Sequence, residues 1–191
     1  MINTAIHEFG HAIMALIVEG NVKKIELFQN ASGVTTTTTK TKFGGFLVTF
    51  IGYPFSSFVS YIIFYLISAG YEKGIVIGIS IVFLFMLLLW IRNIYGALWI
   101  LAFCSINGYL IYLNNQQFVE IAALLYATMI AVDALISAFT VLFLSIRQKD
   151  AAGDASSLKK ITGIPAVIWG LLFSGIAGCF FYLTLNLIGF L

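Results

Sequence analysis

Long apolar runs joined by short polar turns constrain this chain more than any other feature of its sequence. The runs cover Ile2–Val18, Phe46–Ala69, Ile75–Ile91, Ile94–Leu113, Phe118–Ile146 and Ile164–Leu191. Charged residues make up 9% of the chain and hydrophobic residues 61%, whereas soluble domains average about 25% and about 45–50%. Because about 20 apolar residues in a helix span a bilayer, the sequence predicts an all-α polytopic membrane protein. We expect about six transmembrane helices in a single membrane-embedded domain over residues 1–191.

Two polar stretches interrupt this pattern. In residues 20–45, a turn signal over Asn30–Gly33 separates the β-branched Val22 and Ile25 from Val34 and the threonines of Thr35–Thr39. β-Branched residues on both sides of an Asn/Gly turn are typical of a β-hairpin. The sequence therefore predicts a short β-hairpin after the first helix. A second polar loop with a short helix is expected over residues 147–163.

The lysines and arginines predict how the helices cross the membrane. If residues 20–45 are cytoplasmic, alternation of the spans places nine of the ten basic residues on the cytoplasmic side and leaves Lys73 outside. The nine are Lys23, Lys24, Lys40, Lys42, Arg92, Arg147, Lys149, Lys159 and Lys160. Cytoplasmic loops carry such an excess, so we expect a cell-membrane protein with the hairpin and the 147–160 loop in the cytoplasm and both the N- and C-termini outside. The net charge of +2 is too small to suggest a nucleic-acid partner.

The first apolar run carries the only two histidines of the chain, His7 and His11, with Glu8 directly after the first. Positions four apart lie on one face of a helix, so both imidazoles can reach one ion. This is the H-E-x-x-H pattern of zinc peptidases, in which the Glu acts on a water beside the metal. The alternative is a membrane helix in which a His bonds to a neighbouring helix and the Glu is protonated. Two imidazoles and a carboxylate are costly in such an apolar helix, which favours the metal site.

A catalytic zinc needs a third protein ligand and an open position. The sequence offers two carboxylates, Asp133 near the middle of a predicted span and Asp154 in the second polar loop. A carboxylate within the membrane is a functional candidate by default. Asp154 has an N-cap-like position at the start of the predicted short helix. The residue types alone leave both candidates open.

Several short motifs resemble the site-2 protease family of intramembrane zinc metallopeptidases, in particular its small bacterial branch without an accessory domain. Besides the histidine motif, they are Ser32-Gly33, Gly52-Tyr53, Arg92-Asn93-Ile94-Tyr95-Gly96 and Asp154-Ala155-Ser156-Ser157-Leu158 with Thr162, Pro165 and Trp169. The resemblance implies Zn²⁺ as the cofactor, Asp154 as the third ligand and Glu8 as the general base. It also implies that a transmembrane substrate is cleaved near the cytoplasmic side by zinc-activated water. Asn93 is a candidate oxyanion donor or a helix-end cap.

Two other functions fit a membrane protein of this kind. A catalytically silent relative would bind membrane segments without cleaving them, although it would have no need to keep Glu8. A small metal or proton transporter would use Asp133 and the histidines as a path, but transporters are commonly built from repeats, and the histidine motif has no counterpart later in the chain.

Overall fold

Helices dominate the computed structural model, which describes residues 1–148 and 152–190. In chain order the elements are α1 (Ile2–Ile17), β1 (Asn21–Leu27), β2 (Gly33–Thr38), α2 (Lys42–Ser68), α3 (Glu72–Leu89), α4 (Ile94–Tyr112), α5 (Gln116–Arg147), α6 (Gly153–Thr162) and α7 (Ala166–Leu187). The predicted fold class, an all-α membrane protein with a small hairpin after the first helix, is confirmed.

Among the described residues, five helices are long and apolar enough to cross a membrane, namely α2, α3, α4, α5 and α7. The remaining predicted span, the first in the chain, corresponds to α1. This helix has 16 residues and is therefore about 24 Å long, shorter than the hydrocarbon core of about 30 Å. The orientation in the membrane stays a prediction. Lys149, one of the predicted cytoplasmic residues, and Leu191, the end of the last predicted span, lie outside the described residues.

Strands β1 and β2 form the predicted antiparallel hairpin, with Ile25 opposite Thr35 and Leu27 opposite Gly33. Strand β2 runs alongside α1 in the same direction. At its start, Gly33 packs against Thr4 and Glu8 of α1. Beyond its end, Gly20 lies between Thr38 and the carbonyl oxygen of Ala15, to which its N–H donates at 2.8 Å. The hairpin is therefore fixed along most of the length of α1.

The outer edge of β1 is paired with the segment that joins α3 to α4. Ile25 donates its N–H to the carbonyl oxygen of Trp90 at 2.7 Å and accepts from the N–H of Arg92 at 3.1 Å. The side chain of Asn93 continues this pairing, because its Nδ2 donates to the carbonyl oxygen of Leu27 at 2.6 Å and its Oδ1 accepts from the N–H of Leu27 at 3.1 Å. Asn93 makes no side-chain cap on α4. The side-chain amide of Asn93 therefore pairs with Leu27 as the main chain of a neighbouring strand would. Neither predicted role, oxyanion donor or helix-end cap, included this contact.

The short helix α6 is anchored by its apolar face. Ala155 and Leu158 are fully buried in a cluster with Trp169 and Phe173 of α7. Gly163 ends the helix in a left-handed conformation with φ of +78°, which a glycine adopts without the strain of a side chain. This packing fixes the first turn of α6, and with it Asp154, against the membrane helices.

We expect Asn93→Ala to loosen the hairpin. The substitution leaves the N–H and C=O groups of Leu27 without their partner, at a cost of about 1–3 kcal/mol. Hydrogen–deuterium exchange of the Leu27 amide in detergent should accelerate, while exchange in α7 stays as it was. Asn115→Ala is the matched control, since Asn115 only caps the exposed start of α5; faster exchange at Leu27 in that variant as well would contradict the assignment.

Candidate metal centre

Helix α1 presents His7 and His11 on one face. Their Nε2 atoms are 3.0 Å apart, and the two rings meet edge to face with centroids 4.6 Å apart. The Nδ1 atom of His11 lies 2.6 Å from the carbonyl oxygen of Val48 in α2. A carbonyl oxygen only accepts, so this Nδ1 carries the hydrogen, and the Nε2 of the neutral ring keeps its lone pair for a ligand.

Asp154 completes the group from the first turn of α6. Its Oδ2 lies 3.2 Å from the Nε2 of His7 and 3.3 Å from the Nε2 of His11. This oxygen is buried and has no hydrogen-bond partner among the described residues. As metal ligands, these three atoms would each direct a lone pair at one point, and a cation at that point would offset their mutual repulsion.

The spacing of the three atoms fits zinc. Zinc in proteins binds nitrogen and oxygen ligands at about 2.0–2.1 Å in a tetrahedral arrangement. Two ligand atoms in such an arrangement are about 3.3–3.4 Å apart, close to the 3.0, 3.2 and 3.3 Å separations of this group. Three protein ligands leave the fourth position open, as in catalytic zinc sites.

The protonation state of Asp154 also suits a metal ligand. Burial alone would raise the pKa of this carboxyl, but the nearby imidazoles of His11 and His7 outweigh burial and lower the pKa below its ordinary value. Asp154 is therefore a carboxylate, the form that binds a divalent ion.

Glu8 is held by the hairpin. The side chain is 5% exposed, and its Oε2 accepts a hydrogen bond of 2.6 Å from the hydroxyl of Thr35 in β2. Gly33 allows this approach, because a Cβ at that position would lie 2.8 Å from the Oε1 of Glu8. The carboxylate is thus oriented between α1 and β2, next to the three candidate ligands.

Helix α2 packs directly against the two imidazoles. The Tyr53 ring meets the His7 ring with centroids 4.5 Å apart. A Cβ at Gly52 would lie 2.6 Å from the Nε2 of His7 and 2.7 Å from the Cε1 of His11, closer than atoms tolerate. The Gly-Tyr pair was visible in the sequence, but its contact with the histidines was not, because nothing local shows which helix packs on α1.

These side chains border one cavity of about 480 Å³. Its walls come from α1, the hairpin, α2, α5 and α6, and its lining includes Asn3, His7, Glu8, His11, Gly33, Thr35, Thr49, Tyr53, Ser137, Asp154 and Ser157. The cavity is lined by both polar and apolar residues, and polar side chains on α1 and β2 face it. A peptide in this space would contact both the candidate ligands and Glu8.

The structure does not bring Asp133 to the histidines. Within residues 1–148 and 152–190, the group of His, Cys, Asp and Glu side chains able to share an ion consists of His7, His11 and Asp154, with ligand atoms within 4.8 Å of one another. Asp133 is half-buried in α5 and belongs to no such group.

A comparison with known families identifies the family of this chain. The sequence model of a family described as Peptidase M50B-like matches residues 1–184. The chain therefore belongs to the Peptidase M50B-like family, a branch of the membrane-embedded site-2 proteases, as the sequence motifs predicted. Proteins of this class are zinc metallopeptidases. No curated protein and no solved structure matches the chain.

We expect Gly52→Ala to destabilise the protein. A methyl group has no room beside the two rings, and overpacking of this kind costs about 1–3 kcal/mol. The melting temperature in detergent should fall. Gly78→Ala on α3 is the matched control, because nothing lies within 4 Å of the added carbon and alanine is the better helix former by up to about 1 kcal/mol. An equal fall in both variants would refute the close contact of α2 with the histidines.

Proposed function

We propose that this chain is an intramembrane zinc metallopeptidase in which His7, His11 and Asp154 bind the ion and Glu8 is the general base. The observation that carries the proposal is the meeting of three lone-pair atoms at 3.0–3.3 Å, beside a buried carboxylate whose orientation is fixed by Thr35. Both lie in one cavity that is large enough for a peptide segment.

Zinc, when bound, supplies a Lewis acid that acidifies water toward neutral pH and polarises a carbonyl group. The Glu8 carboxylate accepts the proton of the attacking water and later delivers it to the leaving amine. Thr35 keeps one oxygen of Glu8 in a hydrogen bond, so the side chain does not rotate away between these steps. Val48 does the same for the ring of His11 by accepting the Nδ1 hydrogen.

The hairpin supports an extended mode of substrate binding. Within the described residues the sheet has two strands, and the outer edge of β1 is occupied by residues 90–93. The other edge of β2 has no strand partner there and borders the cavity through Gly33, Val34 and Thr35. A transmembrane substrate that unwinds locally would add to this edge by main-chain hydrogen bonds. With the hairpin and the 147–160 loop in the cytoplasm and both termini outside, cleavage would occur near the cytoplasmic side.

Zinc content tests the ligand set. The protein purified in detergent should contain about one zinc per chain. Asp154→Asn and His11→Ala should lose most of it, because two ligands bind far more weakly than three. Asp133→Asn is the matched control and should keep its zinc, since Asp133 lies outside the group. Zinc lost from Asp133→Asn and kept in Asp154→Asn would instead make Asp133 the third ligand.

Cleavage tests the role of Glu8. The reporter peptide is a fluorescein-labelled segment of about 20 mainly apolar residues with a central Asn-Gly pair that lets its helix open. Glu8→Gln should slow its cleavage by about 10²-fold or more while the zinc content stays the same. Glu19→Gln is the control, since Glu19 is exposed and pairs only with Lys40.

Two results would favour the other functions. A wild-type protein that contains zinc but leaves the reporter peptide intact would indicate the catalytically silent relative. Zinc that passes through the protein into sealed vesicles, without cleavage, would indicate the transporter.

A further inference from the structure

The cavity contains a buried polar side chain that the metal centre and the base do not use. Asn3 is 5% exposed and lines the cavity. Its Oδ1 is buried and has no hydrogen-bond partner among the described residues. Buried amide oxygens are almost always paired, since leaving one unpaired costs free energy. Because the side chain that carries this oxygen lines the cavity, a group that donates a hydrogen bond from the cavity would pair it.

The position of Asn3 relates it to the reaction centre. Asn3 lies four residues before His7, on the same face of α1 and about 6 Å further along the helix axis. The next residue, Thr4, faces the hairpin instead and donates to the carbonyl oxygen of Ala31 at 2.7 Å. Asn3 and His7 thus form one side of the cavity, and β2 forms another.

A strand added to β2 would pass both residues. Strand β2 runs alongside α1, so a peptide paired with its free edge also runs along α1. An extended chain advances about 3.3 Å per residue. The separation of about 6 Å between Asn3 and His7 therefore corresponds to about two residues of an extended peptide.

Elsewhere in this protein, an asparagine side chain already forms hydrogen bonds with the main chain of an extended segment. Asn93 pairs with both main-chain polar groups of Leu27 in β1, at 2.6 and 3.1 Å. The amide of Asn3 carries the same donor and acceptor groups. It differs in that its acceptor is still unpaired.

We propose that Asn3 is a substrate-binding residue whose Oδ1 accepts a hydrogen bond from a main-chain N–H of the peptide, about two residues from the scissile bond. The ligand is the backbone of an extended peptide that pairs with the free edge of β2 beside α1, and Asn3 does not contact the peptide's side chains. This subsite rests on the proposed peptidase function and deepens it. Asn3 holds the peptide in register, while Glu8 acts on the bond that is cut.

Binding measured without cleavage tests the subsite. In the Glu8→Gln background loaded with zinc, the anisotropy of the fluorescein-labelled reporter peptide gives its Kd. Asn3→Leu in that background should weaken binding by up to about tenfold, the effect of one hydrogen bond. The melting temperature should not fall, because leucine has a similar volume and removes the unpaired oxygen. A merely structural Asn3 predicts the reverse, a lower melting temperature and an unchanged Kd.

Asn107→Leu is the matched control. The Asn107 amide is buried but fully paired, since it donates to Ser80 at 2.8 Å and accepts from Tyr126 at 2.6 Å, away from the cavity. This variant should lower the melting temperature and leave the Kd of the folded protein unchanged.

Peptides methylated at single main-chain nitrogens then locate the hydrogen bond. At one position, methylation should weaken binding to the protein that has Asn3 and cause a smaller loss in Asn3→Leu. Equal losses at every position, an unchanged Kd in Asn3→Leu, or no binding of the peptide at all would overturn the subsite. If the Kd depends on Asn3 while the wild-type protein does not cleave the peptide, the peptidase proposal fails and the peptide subsite remains. If the wild-type protein cleaves the peptide while the Kd does not depend on Asn3, the subsite fails and the peptidase proposal remains.

Discussion

The close approach of three potential metal ligands is the constraint on which the rest of this structure depends. His7, His11 and Asp154 come within 3.3 Å of one another, and the chain brings them together from its first helix and from a short helix near its end. Such an arrangement costs free energy unless a cation compensates it. Packing of the fold offsets this cost. The apolar face of α6 is buried against α7, which holds Asp154 close to the two histidines.

A second set of contacts links the hairpin to the chemistry. The segment before α4 pairs with β1 through Ile25 and Leu27, β1 pairs with β2, and Thr35 of β2 orients Glu8. The position of Glu8, the proposed general base, therefore depends on residues more than sixty positions away in the sequence. This explains why the Arg-Asn motif, which carries no reactive group at the centre, belongs to the same arrangement as the histidines.

Local patterns predicted most of the fold and the core of the site. Apolar runs indicated the spanning helices, the Asn/Gly turn indicated the hairpin, and the spacing of His7 and His11 indicated a shared ion. What could not be predicted is what depends on contacts between distant elements. Nothing local distinguishes Asp154 from Asp133, shows that Asn93 pairs with Leu27, or reveals that Gly52 faces two imidazoles, because each depends on how helices pack. Asn3 was missed for the same reason, since an asparagine near the start of a helix is unremarkable until its oxygen is found buried and unpaired.

The packing of α2 on the two imidazoles has a consequence for how the proposed ion would bind. Small zinc domains fold only when the metal is present. Here Gly52 and Tyr53 of α2 pack against the imidazole rings. The positions of the candidate ligands are therefore set by the packing of membrane helices. The proposed site would therefore be formed before an ion binds, and binding would require no folding step. An ion removed by a chelator should therefore be replaceable without refolding of the chain.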